Sequence, residues 1–356
     1  MPAQSSKRKT LNFTGKKLLV TGASGFIGSF VVERALETGA EVWAAVRPTS
    51  SRRYLTDPRI HFVELDLGHE ARLRGQLSSH GREHGAWDYV VHAAGVTKCV
   101  DPRTFYAVNT EGTRRLASLL VGLGLLTHRF VFLSSLSVCG PIRQKRVSPV
   151  SPHYAPILTD DPCRPDTDYG RSKLAAERSL AAIEGLDYVV LRPTGVYGPR
   201  ERDYFLMARS IARHVDFAVG YRPQEITFVF VRDLVEAALL ACRHGKLGSA
   251  YFVTDGAVYD SRTFSRLLQR AMDVKHVVRI TAPIALLRGV CTAGGWIARI
   301  SRHSVTLNSD KFRILRQRNW QCDIKPTLNE LGYTPRYSLE EGVNETINWY
   351  KEQQWL

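Results

Sequence analysis

Short apolar, β-branched runs alternate with stretches of helical spacing through the first half of the chain. The runs at 16–21, 41–46 (EVWAAV), 60–65 (IHFVEL), 88–93 (DYVVHA), 129–134 (RFVFLS) and 187–191 (DYVVL) predict strands. Helical periodicity fills the gaps at 26–38, 70–80, 104–122 and 169–184. Near-continuous apolar strands separated by helices predict a parallel sheet covered on both faces, an α/β doubly wound fold. Prolines at 149, 152, 156, 162 and 165 forbid a helix or central strand over Val147–Asp168, which is expected to be a long functional loop. Beyond Arg192 the regularity weakens. ITFVFV (226–231) and YFVT (251–254) are expected to return to the sheet, and 257–350 is expected to be mainly helical. The resulting division is a basic flexible tail (1–14), a nucleotide-binding domain (15–192, rejoined by 226–255), and a smaller, mainly helical substrate domain (193–225 and 256–356) interleaved with it.

Two constellations on this frame carry chemistry. In LLVTGASGFIG the first apolar run stops at Thr21, and glycines follow at 22, 25 and 28 before a helical pattern begins. A strand turning into a helix through glycines presents backbone N–H groups at the positive helix end, and a side chain there would block a pyrophosphate. The second is Tyr169-Gly170-Arg171-Ser172-Lys173, where a four-residue spacing puts the phenol and the ammonium on one helix face. A free tyrosine titrates near 10; an adjacent ammonium favours the phenolate, and bringing its pKa to about 7 requires roughly 4 kcal/mol. Such a phenol exchanges a proton with a carbinol while hydride moves to or from a nicotinamide.

Composition changes this picture little. At 356 residues, 44% hydrophobic and 23% charged, the chain can bury a full core. The net charge of +15 is scattered (Arg52-Arg53, Arg114-Arg115, Arg143 to Arg146, Arg313 to Arg318), with no aromatic interleaving. It reads as a basic surface that steers anionic ligands, with no nucleic-acid partner expected. The six cysteines lack CxxC pairs and metal spacing, so reduced thiols, no metal and a cytoplasmic location are expected. The N-terminal MPAQSSKRKTLNFTG lacks a secretory apolar region, and Ile284–Ile300 is too broken by Arg288, Arg299 and glycines to span a bilayer.

TGASGFIG, DYVVHAAG, FVFLSSLSVCG, YGRSK and LRPTGVYGP occur in the order found in the extended short-chain dehydrogenase/reductases, the NAD-dependent epimerase/dehydratase family, which the chain resembles from Lys16 to its C-terminal LGYTPRYSLEEGVNETINWY. The resemblance implies a Rossmann-type fold, with Tyr169 as catalytic acid/base, Lys173 as the residue tuning it and holding the nicotinamide ribose, and Ser135 hydrogen-bonded to the reacting oxygen. A tyrosine common in the family four residues after that serine is replaced here by Cys139. Ser134 neighbours Ser135 and competes for its role, and Ser135 read alone is also a strand-end hydroxyl. Cofactor contacts are implied for Thr21, Gly22, Gly25, Phe26, Ile27, Gly28, Arg47, Asp66, Leu67, Ala93, Ala94, Gly95, Pro193 and Val196, besides Tyr169 and Lys173. Substrate contacts are implied for Thr97, Asn109, Ser135 and Tyr197, and a homodimer is a further implication. Asn109 reads equally as a site organiser or as a satisfied polar residue, and His92 as structural.

The second strand ends in Arg47, where NAD-binding versions of the fold carry an acidic residue for the ribose 2′-OH. A guanidinium binds a 2′-phosphate as a charge-assisted fork, so NADP(H) is favoured over NAD(H). Sugar-nucleotide epimerases and dehydratases commonly carry an arginine gripping the substrate diphosphate; Ile226 stands in its place here and Phe230 in that of a nearby histidine, with Arg222 close by. AVRPTSSRR and NELGYTPRYSLEEGV resemble instead the dihydroflavonol-reductase and 3β-hydroxysteroid-dehydrogenase branch. The expectation is hydride transfer between NADP(H) and a carbonyl or secondary alcohol on a ring-bearing, largely apolar small molecule. The alternative is an NAD-dependent sugar-nucleotide epimerase or dehydratase. A cofactor-sensing scaffold is disfavoured, because Ser135, Tyr169 and Lys173 are all present.

Overall fold

The computed structural model describes residues 11–148, 153–221, 223–285, 289, 291 and 309–356. The tail at 1–10, Arg222 and most of the broken apolar stretch, including Arg288 and Arg299, lie outside the described residues. Seven strands form one parallel sheet: β1 (Lys17–Thr21), β2 (Glu41–Val46), β3 (His61–Glu64), β4 (Trp87–His92), β5 (Leu126–Leu133), β6 (Tyr188–Pro193) and β10 (Ala250–Val253). Their order is β3-β2-β1-β4-β5-β6-β10. The order reverses between β1, which pairs with β2, and β4, the kind of switch point at whose strand carboxyl ends open α/β sheets bind their ligands.

Strand alternation builds the two faces. Leu18 and Val20 join Val42, Val91 and Val131 in a cluster with the Phe26–Glu37 and Val231–Arg243 helices. Leu19 faces the other way with Trp43, Val90, Phe130 and Phe132, against helices Glu70–His84, Thr113–Gly122 and Asp168–Ala181. Each fully buried Leu or Phe there contributes about 1.5–3 kcal/mol. The helix expected over 104–122 is divided, with Tyr106–Gly112 in wide π turns between Arg103–Phe105 and Thr113–Gly122.

Of the two late runs expected to return to the sheet, only the second does so. In the first, β9 (Phe228–Phe230) pairs with β7 (Gly195–Tyr197) in a two-stranded sheet of its own. A third sheet pairs β8 (Val215–Val219) with β11 (Val278–Ala282). Among the described residues of the late region, helices Asp203–Ala212, Thr263–Ala271, Ser309–Arg316, Thr327–Leu331 and Leu339–Glu352 accompany these strands. Among the described residues no helix is long and apolar enough to cross a membrane.

Candidate active site

The glycine turn closes at the switch point. Gly22 has φ +66°, and a Cβ there would stand 2.7 Å from the Ala93 carbonyl carbon and the Ala94 nitrogen. A Cβ on Gly28 would stand 2.1 Å from the Gly22 carbonyl oxygen. Helix Phe26–Glu37 starts at Gly25 with no side-chain cap and no acidic residue in its first turn. Its exposed N–H groups and positive end fit a dinucleotide pyrophosphate. Thr21 is buried at the end of β1: its hydroxyl shares a 2.7 Å hydrogen bond with His92 Nδ1, whose Nε2 meets the Thr113 hydroxyl at 2.9 Å. Burial pushes His92 down to about 3, with the Lys173 charge adding to it, so the ring is a neutral strut between β1 and the Asn109 helix. Arg200 braces the same first helix, bonding Ser29 Oγ at 2.8 Å and Glu33 at 2.6 Å.

Around the rim, Arg47 is exposed beyond β2, and its guanidinium has no ion-pair partner among the described residues. The Asp66 carboxylate is already engaged: it accepts from the Gly68 nitrogen and meets His69 and Arg72, each at 3.0 Å. Burial works against its charge, but these bonds hold it below the ordinary carboxylate value. Leu67 packs beside Gly112, and Pro193 is buried at the end of β6, with Val196 half-buried in β7.

The second constellation forms where β4, β5 and helix Asp168–Ala181 meet. Ser135 caps the short Leu136–Val138 turn, accepting from the Ser137 nitrogen at 3.1 Å, and its hydroxyl approaches the Tyr169 phenol closely enough to favour the phenolate. Ser134 is committed elsewhere, buried against Glu177, which separates the two serines. Asn109, fully buried in the π segment, accepts from Val96 N at 2.8 Å and donates to Val96 O and Ser172 Oγ, both at 3.0 Å. Its amide is fully satisfied and ties the loop carrying Ala93, Ala94, Gly95 and Thr97 to the Tyr169 helix. A Cβ on Gly95 would meet Asn109 Oδ1 at 3.1 Å and Lys173 Nζ at 3.2 Å, which fixes that loop's close approach.

Two expectations change. The Tyr169 phenol lies above its ordinary value, because burial raises it and the Ser135 hydrogen bond counters only in part. The Lys173 ammonium, expected to lower it, instead donates to the Leu133 carbonyl at 2.8 Å and rests 4.7 Å from the Phe132 ring centroid. Burial pushes Lys173 down to about 8, opposed by Glu177. Tyr197 is not brought to the site. It is fully buried among Phe228, Phe230, Phe264 and Tyr204, because β7 turns it into the aromatic core. Phe230 is likewise core, against Tyr197 and Tyr337, and Ile226 is half-buried and paired through its backbone with Tyr259.

Several partners were not read from the sequence. Glu177 binds Arg192 through two bonds of 3.1 and 2.6 Å beneath Lys173. The four-residue spacing Tyr169, Lys173, Glu177 was the available signal. Asp310 accepts from the Asp168 and Tyr169 nitrogens at 3.0 and 3.2 Å, and Lys98 pairs with Asp203 across the rim; neither has a local sequence signal. Cys139 is buried with its thiol against Cys163. A groove of about 580 Å³ behind the first helix, lined by Phe30, Glu33, Arg200, Arg232, Glu345 and Trp349, holds none of Ser135, Tyr169 or Lys173.

A parallel sheet with a glycine cradle at its switch point, beside a Ser/Tyr/Lys set, defines a nicotinamide-nucleotide-dependent enzyme. Residues 18–253 match the NAD dependent epimerase/dehydratase family, and the chain belongs to it, within the extended short-chain dehydrogenase/reductases. It is 28% identical over 344 residues to UDP-glucose 4-epimerase of Vibrio cholerae, covering 93% of this chain and 94% of that protein. It is 28% identical over 345 residues to sterol demethylase protein B of Methylococcus capsulatus, covering 94% and 98%. Its fold matches dTDP-glucose 4,6-dehydratase of Bacillus anthracis in complex with NAD at TM-score 0.73 and 18% identity, over 96% of this chain and 98% of that one.

Proposed function

We propose that this enzyme transfers hydride between NADP(H) and a carbonyl or secondary alcohol on a ring-bearing, largely apolar substrate. A bound nicotinamide supplies the hydride donor or acceptor. Ser135 donates a hydrogen bond to the reacting oxygen, and Tyr169 Oη gives that oxygen its proton in the reducing direction. Lys173, one turn along the same helix and donating to the Leu133 carbonyl at 2.8 Å, is in this reading the group that holds the nicotinamide ribose. The observation carrying the reading is the approach of the Ser135 hydroxyl to the Tyr169 phenol, with buried Lys173 one turn along the same helix, beside a cradle only glycine allows. An apolar substrate class is supported by Ile226 standing at the place of the diphosphate-gripping arginine and by the likeness to sterol demethylase protein B. The likeness to a UDP-glucose epimerase favours the second reading, in which retained NAD is transiently reduced and restored. The working unit in this reading is a cytoplasmic homodimer of chains, each with a nucleotide-binding domain at 15–192 and an interleaved substrate domain.

Purified protein mixed with NADPH and a panel of ring ketones is expected to consume absorbance at the reduced nicotinamide band. Retained NAD with no net turnover of added cofactor would overturn the leading reading in favour of the epimerase. The 2′-phosphate role of Arg47 predicts that Arg47→Asp lowers the NADPH/NADH ratio of kcat/KM by about tenfold to a hundredfold. The ratio measured on both cofactors checks it, and an unchanged ratio removes Arg47 from the 2′-phosphate.

A further inference from the structure

The β8/β11 sheet is built with its polarity reversed. In a sheet packed on one face, alternation sends apolar side chains inward and polar ones to water. Here Asp216 is the inward residue, buried to 4%, and it accepts from Arg262 at 2.8 Å and from Ser265 at 3.0 Å. Arg262 also donates to the Thr281 hydroxyl at 2.7 Å. A polar network thus ties the sheet to helix Thr263–Ala271, and the alternate positions are turned outward. Phe217 and Ile280 are register partners, so they stand side by side on that outer face, with Val278 two residues before Ile280. They are 62%, 41% and 64% exposed, and Tyr221 beyond the end of β8 is 76% exposed. A one-residue slip would bury these side chains and expose the network, so register commits the apolar face to the outside.

Charge says what covers it. Because the two strands are parallel, the residues preceding them lie at one end of the sheet, and these are Arg213 and His214 before β8 and Lys275 and His276 before β11. All four are exposed, with Arg209 one helical turn before Arg213, and Asp273 is the exposed acidic residue nearby in sequence. A second copy of this chain would bring the same basic end to the contact on a molecule of net charge +15. An anionic lipid surface matches both parts, taking aromatic and aliphatic side chains into its interface and drawing in basic ones.

We infer that the outer face of the β8/β11 sheet, with its basic end, docks this enzyme onto anionic lipid membranes as a peripheral protein. This stands independently of the substrate reading, since no residue of the docking face belongs to the Ser135–Tyr169–Lys173 set.

The test is co-sedimentation of the full chain with vesicles of phosphatidylcholine and phosphatidylserine, compared with vesicles of phosphatidylcholine alone. The protein is expected to pellet with the anionic vesicles and to release as salt rises. Phe217→Ser with Ile280→Ser is expected to cut the partition coefficient about tenfold or more, and Arg213→Glu with Lys275→Glu by a similar factor. Both variants are to retain the circular-dichroism spectrum and dinucleotide binding, since the altered side chains are exposed. Absence of binding to anionic vesicles by the parent chain, or equal binding by folded variants, overturns the proposal. So does a parent dimer in sedimentation velocity that Phe217→Ser with Ile280→Ser converts to monomer without any vesicle binding, which would assign the face to a second copy.

Discussion

Replacing Tyr169 by Phe is expected to lower kcat by about 10²–10⁴ while leaving the dinucleotide dissociation constant within a factor of a few. The phenol is the proton carrier in the proposed mechanism, and the ring that remains still packs against Phe105, 6.0 Å between centroids. The glycine turn at Gly22, Gly25 and Gly28 is on another element and is untouched. Single-turnover hydride transfer and fluorescence titration of the cofactor, measured on the same preparation, separate the two quantities. Turnover that survives the change assigns the proton to another group. The pH profile carries the same argument further. Burial pushes Lys173 down to about 8 in the folded protein, so its positive charge is lost above that pH. Turnover in the reducing direction is therefore expected to fall above about pH 8, by roughly tenfold per unit once a single ionisation controls it. A flat profile to pH 10 would remove Lys173 from the ionisation. Stability moves the opposite way. Between about 8 and 10.5 the unfolded chain holds the lysine proton that the folded chain has released, so this group makes the fold more stable as pH rises through that window.

Glu177→Leu is expected to destabilise the fold by about 3–5 kcal/mol, read as a lower midpoint in urea unfolding. Both side chains of the Glu177–Arg192 pair are only 9% exposed. Burial works against the Arg192 charge, but its bonds to Glu177 raise it above the usual arginine value. Removing the carboxylate leaves a buried guanidinium uncompensated and leaves the Ser134 hydroxyl without its acceptor. It also withdraws the negative charge that supports Lys173, so the alkaline limb of the activity profile is expected to move to lower pH. Glu177→Gln, which keeps the shape and some of the bonds, is the milder companion. A loss under about 1 kcal/mol for the leucine variant would show that Arg192 finds water or another partner instead.

The parallel sheet was legible because both of its faces are buried, so each strand is a near-continuous apolar run whose neighbours are helices at a different period. The glycine cradle was legible for the opposite reason: backbone close approach at Gly22 and Gly28 tolerates no side chain, and that constraint is written directly in residue type. Ser135, Tyr169 and Lys173 were legible as residues, and their convergence followed from strand order. What each side chain faces was not legible. Tyr197 and Phe230 sit in a motif and an apolar run that read as ligand-facing, yet the short pairing of β7 with β9 turns both into an aromatic core. The Lys173 ammonium had two acceptable destinations, the Tyr169 phenol or a buried carbonyl at the end of β5, and only the packed strand ends select Leu133.

The sequence by itself determined the strand–helix alternation, the dinucleotide cradle and the family's Ser/Tyr/Lys set, because period, steric intolerance and residue chemistry are local properties. Only the tertiary structure decided how that set is electrostatically poised, with Arg192 paired to Glu177 and Asp310 capping its helix, since those two contacts join residues whose separation along the chain carries no signal. It also decided which face of the β8/β11 sheet is outward. Alternation assigns residues to two faces, but the buried Asp216 network determines which face turns to water.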